Sequence, residues 1–287
     1  MEYNMLEANS SMNSLYFRPG KEMQPKPEHF GTSYAEVFKD QQVVDAYRYR
    51  LPYPDEVFDI LANLIIDEPR TILDVGTGTG DIARRLAVIA ERVDAVDFSQ
   101  HMIERGQRLP NGDHPHLHWI YGKVEEVPLA PPYALITAGS SIHWIEWEVA
   151  FPRFRSVLTP NGSLALVYRR ALPMPWNDDL RNLRAHFSVR RDHRSSNVVA
   201  ELEARGFFHR QGERETAPVP FFQSIDDFIV GLHSRSGFSR QRMGEQQAAD
   251  FDRQVRTLLL QFHSDGVLPL KAVGTVTWGT PEAGFAK

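Results

Sequence analysis

ILDVGTGTGD, residues 72–81, is the stretch that decides the fold. An apolar run enters three glycines that alternate with threonine, and an acid follows. A short apolar run bounded by glycine reads as a buried strand. Glycine after it lets the backbone turn sharply and approach a ligand closely. Outward from the loop, RVDAVD (92–97), HLHWIYG (116–122), YALITAG (133–139) and SLALVYR (163–169) read as further strands. DIARRLAVIA, SQHMIERGQRL and EWEVAFPRFRSVL between them carry helical spacing, and AEVFKDQQVVDAYRYR and PDEVFDILANLI do so upstream. Strand and helix in alternation predict a parallel α/β sheet with helices on both faces and a ligand at the carboxyl ends of the strands. The glycine loop sits at such an end.

A glycine loop between strand and helix holds either a pyrophosphate or a group without phosphate. The dinucleotide pattern G-x-G-x-x-G requires Gly or Ala at its third place. Gly76 and Gly78 fit, but position 81 is Asp and the third glycine comes early, at Gly80. Asp81 falls at the first turn of the next helix, where a carboxylate occupies the positive end that would otherwise hold phosphate. As an N-cap it would spoil a phosphate site equally. No Gly-Lys-Ser/Thr follows, so the loop is no P-loop. The ligand is read as a nucleoside without phosphates. Asp97, at the tip of the next strand, suits both hydroxyls of a ribose. The alternative for Asp97 is a helix cap, a role open to Ser99 as well.

Composition narrows the chemistry. The chain has 287 residues, 42% hydrophobic, with no apolar run near bilayer length, so a globular protein of one large domain is expected. The first residues lack the basic and apolar regions of a secretory signal, which gives a cytoplasmic expectation. The absence of cysteine removes disulfides, thiolate nucleophiles and Cys-ligated metals. A net charge of -5 gives no general attraction to nucleic acid. RRDHR (190–194) and SRSGFSRQR (234–242) are locally basic and are read as solvated helical faces. His114, His116 and His118 alternate on a predicted strand, but no carboxylate or cysteine joins them there, so no metal site is expected.

At this point the residues resemble a family, the class I S-adenosylmethionine-dependent methyltransferases. DVGTGTG (74–80) looks like their first motif and AVDFS (95–99) like the acidic second one. GKVEEVPL (122–129), TAGSSIHW (137–144), VLTPNG (157–162) and YRYRLPYP (47–54) resemble the branch of quinone-ring C-methyltransferases and trans-aconitate methyltransferase. The resemblance implies a Rossmann-like, doubly wound, mostly parallel seven-stranded sheet with the last strand antiparallel. It implies S-adenosyl-L-methionine as cofactor and S-adenosyl-L-homocysteine as product. Gly76, Gly78 and Gly80 would lie against the methionine part, with Asp74 supporting its ammonium and Arg50 a candidate for its carboxylate. Arg50 equally suits a surface position before a turn. Asp97 would hold the ribose, Phe98 and Met102 would flank the adenine, and Val124 with Glu125 would read its edge; Ser140 joins the cofactor set. Lys123 stands where the family usually has an acid, and lysine cannot accept from the adenine amino group.

His143 follows the fourth strand and is the candidate catalytic residue, as a general base or as a residue that orients the substrate. Trp144 and Trp147 are read as packing residues. The chain divides into a loose arm (1–30), a cofactor-binding core (31–175) and a C-terminal part (176–287). RETAPVPFF and KAVGTVTWGT are read as its closing strands, with a helical insertion at about 224–263 as substrate lid. On that lid His233, Arg235 and Arg240 are candidates to face an anionic or hydroxylated substrate. The leading reading is methyl transfer to N or O of a small molecule, without nucleic-acid or membrane partners. An RNA or protein methyltransferase and a non-catalytic nucleoside-binding protein are the alternatives, and a nicotinamide oxidoreductase is disfavoured by Asp81. The oligomeric state is not fixed by sequence.

Overall fold

The computed structural model describes residue 26, residues 32–189 and residues 197–284. The expected arm, apart from Lys26, and the basic run at 190–194 lie outside the described residues. A 3-10 helix (Thr32–Lys39) and helices α1 (Gln41–Tyr47) and α2 (Asp55–Asn63) lead into strand β1 (Thr71–Val75). Then come α3 (Ala83–Leu86), β2 (Arg92–Asp97), α4 (Gln100–Gln107), β3 (Leu117–Tyr121), β4 (Tyr133–Gly139), α5 (Trp147–Val157) and β5 (Leu158–Ala171). Helices α6 (Asn177–Phe187) and α7 (Val198–Ala204) precede β6 (Phe208–Glu215) and β7 (Val219–Ser224). Helices α8 (Ile225–Leu232), α9 (Arg240–Met243) and α10 (Glu245–Phe262) stand between β7 and β8 (Val267–Pro281).

The main path of the sheet runs β3-β2-β1-β4-β5-β8-β6, with β1 to β5 parallel and β8 antiparallel to both its neighbours. The path has seven strands, the expected number; β7 is an eighth, paired to the first half of β8. The closing strand read at RETAPVPFF is displaced. Its residues straddle the gap between β6 and β7, because Ala217 and Pro218 interrupt the extended run.

Parallel strands buried on both faces read as continuous hydrophobic runs. Leu73, Val75, Ile136 and Leu164 point to one face, against Phe151 and Phe154 of α5 and Leu202 of α7. Ile72, Val93, Leu135 and Ala165 point to the other, against Val57 and Leu61 of α2 and Leu86 of α3. Helix α3 is shorter than its sequence suggests, one turn followed by turns through residue 90.

The insertion leaves and re-enters the sheet at one point. Ser224 is the register partner of Val267, and the Ile225 amide donates to the Gly266 carbonyl at 2.9 Å. Two antiparallel strand ends therefore form a stem for the helices α8 to α10. The insertion has a core of its own: Ile229, Phe238, Phe251 and Val255 pack with Trp176 and Leu180 of the α6 region and with Leu268 and Leu270 of β8.

Trp119 of β3 fills the space beneath the glycine loop. A Cβ placed on Gly106 of α4 would collide with its ring, as would one on Gly80 at 2.5 Å. Gly106→Ala is expected to cost about 1–3 kcal/mol by overpacking. Urea denaturation checks this, and Trp119→Leu in a double-mutant cycle should remove much of the penalty.

Candidate active site

The glycine loop is held by two buried carboxylates. Asp74, at the end of β1, accepts hydroxyl hydrogen bonds from Thr77 at 2.5 Å and from Thr137 of β4 at 2.6 Å. Asp97, at the tip of β2, accepts amide hydrogen bonds from Gly78 at 2.7 Å and Ser99 at 2.8 Å. Burial raises both acids to a pKa of about 6, against the donors that favour the charged form. Ser99 caps α4 through the Met102 amide, so Asp97 carries no capping duty. Gly76 and Gly78 have φ of 62° and 58°, the left-handed region open to glycine. At Gly76 a Cβ would meet Cβ of Ser141 at 2.5 Å, so the strand-β4 exit closes directly over the loop.

Beside this loop lies a cavity of 260 Å³. Of the residues singled out in sequence, Arg50, Gly76, Gly78, Asp97, Phe98, Met102, Val124, Glu125 and Ser140 line it. Asp97 stands at one wall, and the apolar Met102 and Val124, both buried, stand beside it. Asp74 and Gly80 are not among the lining residues: Asp74 is taken up by two threonines below the loop, and Gly80 backs onto Trp119. Glu125 turns partly away, accepting from the Glu146 amide at 2.7 Å at the start of α5. Lys123 lines the same wall.

Asp81 is not an N-cap. Helix α3 starts at Ala83, and Asp81 instead accepts from Arg169 of β5 at 2.9 Å and from Arg84 at 3.3 Å. These partners hold its carboxyl below the usual range despite burial. Arg169 stacks over Tyr53 at 4.2 Å, and the Tyr53 hydroxyl bonds Ser140. Ser140 has φ of 55°, a strained value for a residue with a side chain. Strain of this kind has no signature in the sequence.

Arg50 is no surface residue. It reaches the lid, donating to the Ser234 hydroxyl at 2.8 Å and the Ser234 carbonyl at 2.6 Å, while its guanidinium lies 3.9 Å over the Tyr47 ring. It also lines a second cavity of 340 Å³, between the carboxyl ends of β4 and β5 and the α8–α10 insertion, together with Phe38, Ser140 and Trp144. These four residues are common to both cavities. His143 belongs to the second cavity and not to the first, against Trp144 with ring centroids 4.2 Å apart. Trp144 is thus a wall of both cavities, whereas Trp147 is fully buried against Phe207.

Two lid expectations are corrected. His233 and Arg240 do not face a cavity: both bind Asp252 of α10 at 2.6 Å, which ties α8, α9 and α10 together. Residues 234–242 are no solvated face either, since Ser234, Ser236, Phe238 and Ser239 are buried in the turn between α8 and α9. Arg235 alone of the three enters the second cavity. Among the described residues no group of metal-ligating side chains is assembled, and no helix is long and apolar enough to cross a membrane.

Residues 72–162 match a methyltransferase domain family. The chain carries a class I S-adenosylmethionine-dependent methyltransferase domain. Among its relatives, a malonyl-[acyl-carrier protein] O-methyltransferase of Halalkalibacterium halodurans is 36% identical over 105 residues, covering 34% of this chain and 38% of that protein. A methyltransferase of Schizosaccharomyces pombe is 30% identical over 139 residues, covering 47% of this chain and 53% of that one. The matches thus span about half or less of these relatives. Among solved structures, a candidate type II methyltransferase from Anaeromyxobacter dehalogenans superposes with a TM-score of 0.63 at 21% identity, covering 81% of this chain and 99% of the other. That likeness extends the shared fold beyond the matched segment.

Burial of Asp97 sets a sign for pH dependence. Its folded pKa of about 6 lies above the ordinary 3.8, so the native state holds the proton more tightly and loses stability as pH rises from about 4 to about 6. Asp97→Asn should therefore gain on the wild type by roughly 1–3 kcal/mol across that window. Urea unfolding of both proteins at pH 4.5 and 7.5 checks it; a constant difference would mean that burial does not govern the group.

Proposed function

We propose that this chain binds S-adenosyl-L-methionine in the first cavity and transfers its methyl group to a nitrogen or oxygen of a small molecule held in the second. The observation that carries the reading is the junction of the two cavities at Phe38, Arg50, Ser140 and Trp144. The residues of the first cavity fit the cofactor. Gly76 and Gly78 line that cavity with bare backbone in the left-handed region, Asp97 offers a buried carboxylate to a ribose diol, and Phe98, Met102 and Val124 give an apolar slot for a purine. Ser140 and the Glu125 side would complete that set, and Arg50 supplies the cation for the methionine carboxylate. Asp74 and Gly80 act one layer below, as supports of the loop. The bound cofactor supplies an activated methyl carbon, and displacement on it is in line.

The protein's part is alignment. Effective molarity from holding donor and acceptor at near-attack distance is worth roughly 7–11 kcal/mol in favourable cases. His143, in the wall of the second cavity, orients the acceptor or takes its proton where the acceptor carries one. The α8–α10 insertion, on its two-strand stem, serves as the lid that keeps water from the reacting atoms. The O-methyltransferase relative is in keeping with an oxygen acceptor, and a cavity of 340 Å³ suits a small molecule better than RNA or a protein.

Calorimetric titration with S-adenosylmethionine, with NAD as comparison, tests the cofactor assignment. Micromolar binding of the former and none of the latter is expected. Asp97→Ala should weaken binding at least tenfold, about 1.4 kcal/mol. Affinity in the wild type should also fall as pH drops through about 6, because a protonated Asp97 loses acceptor capacity. Binding of NAD in place of S-adenosylmethionine would overturn the reading.

A further inference from the structure

The second cavity is strongly cationic. Arg50, Arg169 and Arg170 of β5, Arg184 of α6 and Arg235 after α8 all line it, and no Asp or Glu among the described residues does. Two of the five are compensated from outside: Arg169 by Asp81 and Arg170 by the exposed Glu215. Arg50 meets only the neutral Ser234 through its hydrogen bonds.

Arg184 and Arg235 are different again. The Nε of Arg184 is buried without a hydrogen-bond partner, and its guanidinium rests 5.6 Å over the Phe238 ring. The side chain of Arg235 makes no hydrogen bond or ion pair among the described residues. Arg235 is exposed by its accessible surface, and it stands in the lining of the cavity with neighbouring segments around it. Burial, and then Arg184, Arg50 and Arg169 nearby, press its pKa down to about 9. A guanidinium partly withdrawn from water without a counter-charge is destabilising. Two of them converging on one cavity, from separate helical segments, form a site suited to an anion.

We propose that the second cavity binds a small organic acid with at least two oxyanion groups, anchored by Arg184 and Arg235. Guanidinium forks pair with carboxylate and phosphate alike, so either oxyanion meets the chemistry. At 340 Å³ the cavity suits a compact acid more than a polymer. That this acid is the methyl acceptor rests on the cofactor reading above; that it binds here does not. If the acceptor is itself a carboxylate, an oxygen lone pair forms the new C–O bond as the methyl carbon–sulfur bond breaks toward sulfur. The products are then a methyl ester and S-adenosylhomocysteine, with no proton to remove.

The test titrates succinate, tricarballylate, glycerol 3-phosphate and acetate into the full chain, alone and saturated with S-adenosylhomocysteine. At least one multiply charged acid should bind tenfold or more tighter than acetate; tricarballylate and glycerol 3-phosphate separate carboxylate from phosphate. Arg235→Gln and Arg184→Gln should each weaken that acid tenfold or more while leaving S-adenosylhomocysteine affinity unchanged, and Arg235→Lys should retain part of it. In the ligand-free state Arg235→Gln should melt at a higher temperature than the wild type, the reverse of what loss of a structural arginine would do. If a protein that still binds S-adenosylhomocysteine takes up none of the multiply charged acids, or if the glutamine variants bind them as the wild type does, the anion site is wrong. If the variants weaken S-adenosylhomocysteine instead, these arginines belong to the cofactor. Failure of the cofactor reading is seen separately, as absence of S-adenosylhomocysteine binding by the wild type.

Discussion

The two amide hydrogen bonds that converge on the Asp97 carboxylate are the constraint from which the site follows. One comes from the glycine loop after β1 and the other from the first residues after β2, so a single buried acid fixes the separation of two adjacent strand tips. Asp74 does the same between β1 and β4 through two threonine hydroxyls. Strand tips tied in this way leave a loop that cannot drift, and a loop that cannot drift can hold a flat edge of ligand against its own backbone. The cost is two carboxylates pushed toward neutrality by burial, tolerable because each accepts two hydrogen bonds.

Electrostatics divides the space above the sheet into two chambers. The first is lined by acid, glycine backbone and apolar side chains; the second by arginine and aromatic rings. Arg50 and Ser140 stand at the border. Arg50 is held through Ser234 by the segment that follows α8, so that insertion fixes where the cation stands. The insertion hangs on strands β7 and β8, the latter running on into the sheet between β5 and β6, and its helices are bound together by Asp252 between His233 and Arg240.

Much of this was legible in one dimension. β1, β2 and β4 fall on the residues that periodicity selects, because strands buried on both faces must be apolar along their length. The glycine spacing and the acid at the tip of β2 pointed to the cavity that Gly76, Gly78 and Asp97 line, since only glycine accepts the φ values found there and a strand tip must project its last side chain. The insertion was visible as helical spacing between two strand patterns.

Other features were decided by the tertiary structure alone. Asp81 looked like a helix cap because nothing local distinguishes a cap from an ion pair; its partner, Arg169, is supplied by a strand far along the chain. His233 and Arg240 looked like substrate ligands until α10 brought Asp252 to them. The strained Ser140 and the convergence of Arg184 with Arg235 depend on how strand, helix and lid meet. The sequence by itself determined the parallel strands of the sheet and where the glycine loop lies, since backbone conformation and burial are written in local residue type. Only the fold decided which charges are paired, because pairing is a matter of distance between segments that the sequence keeps apart.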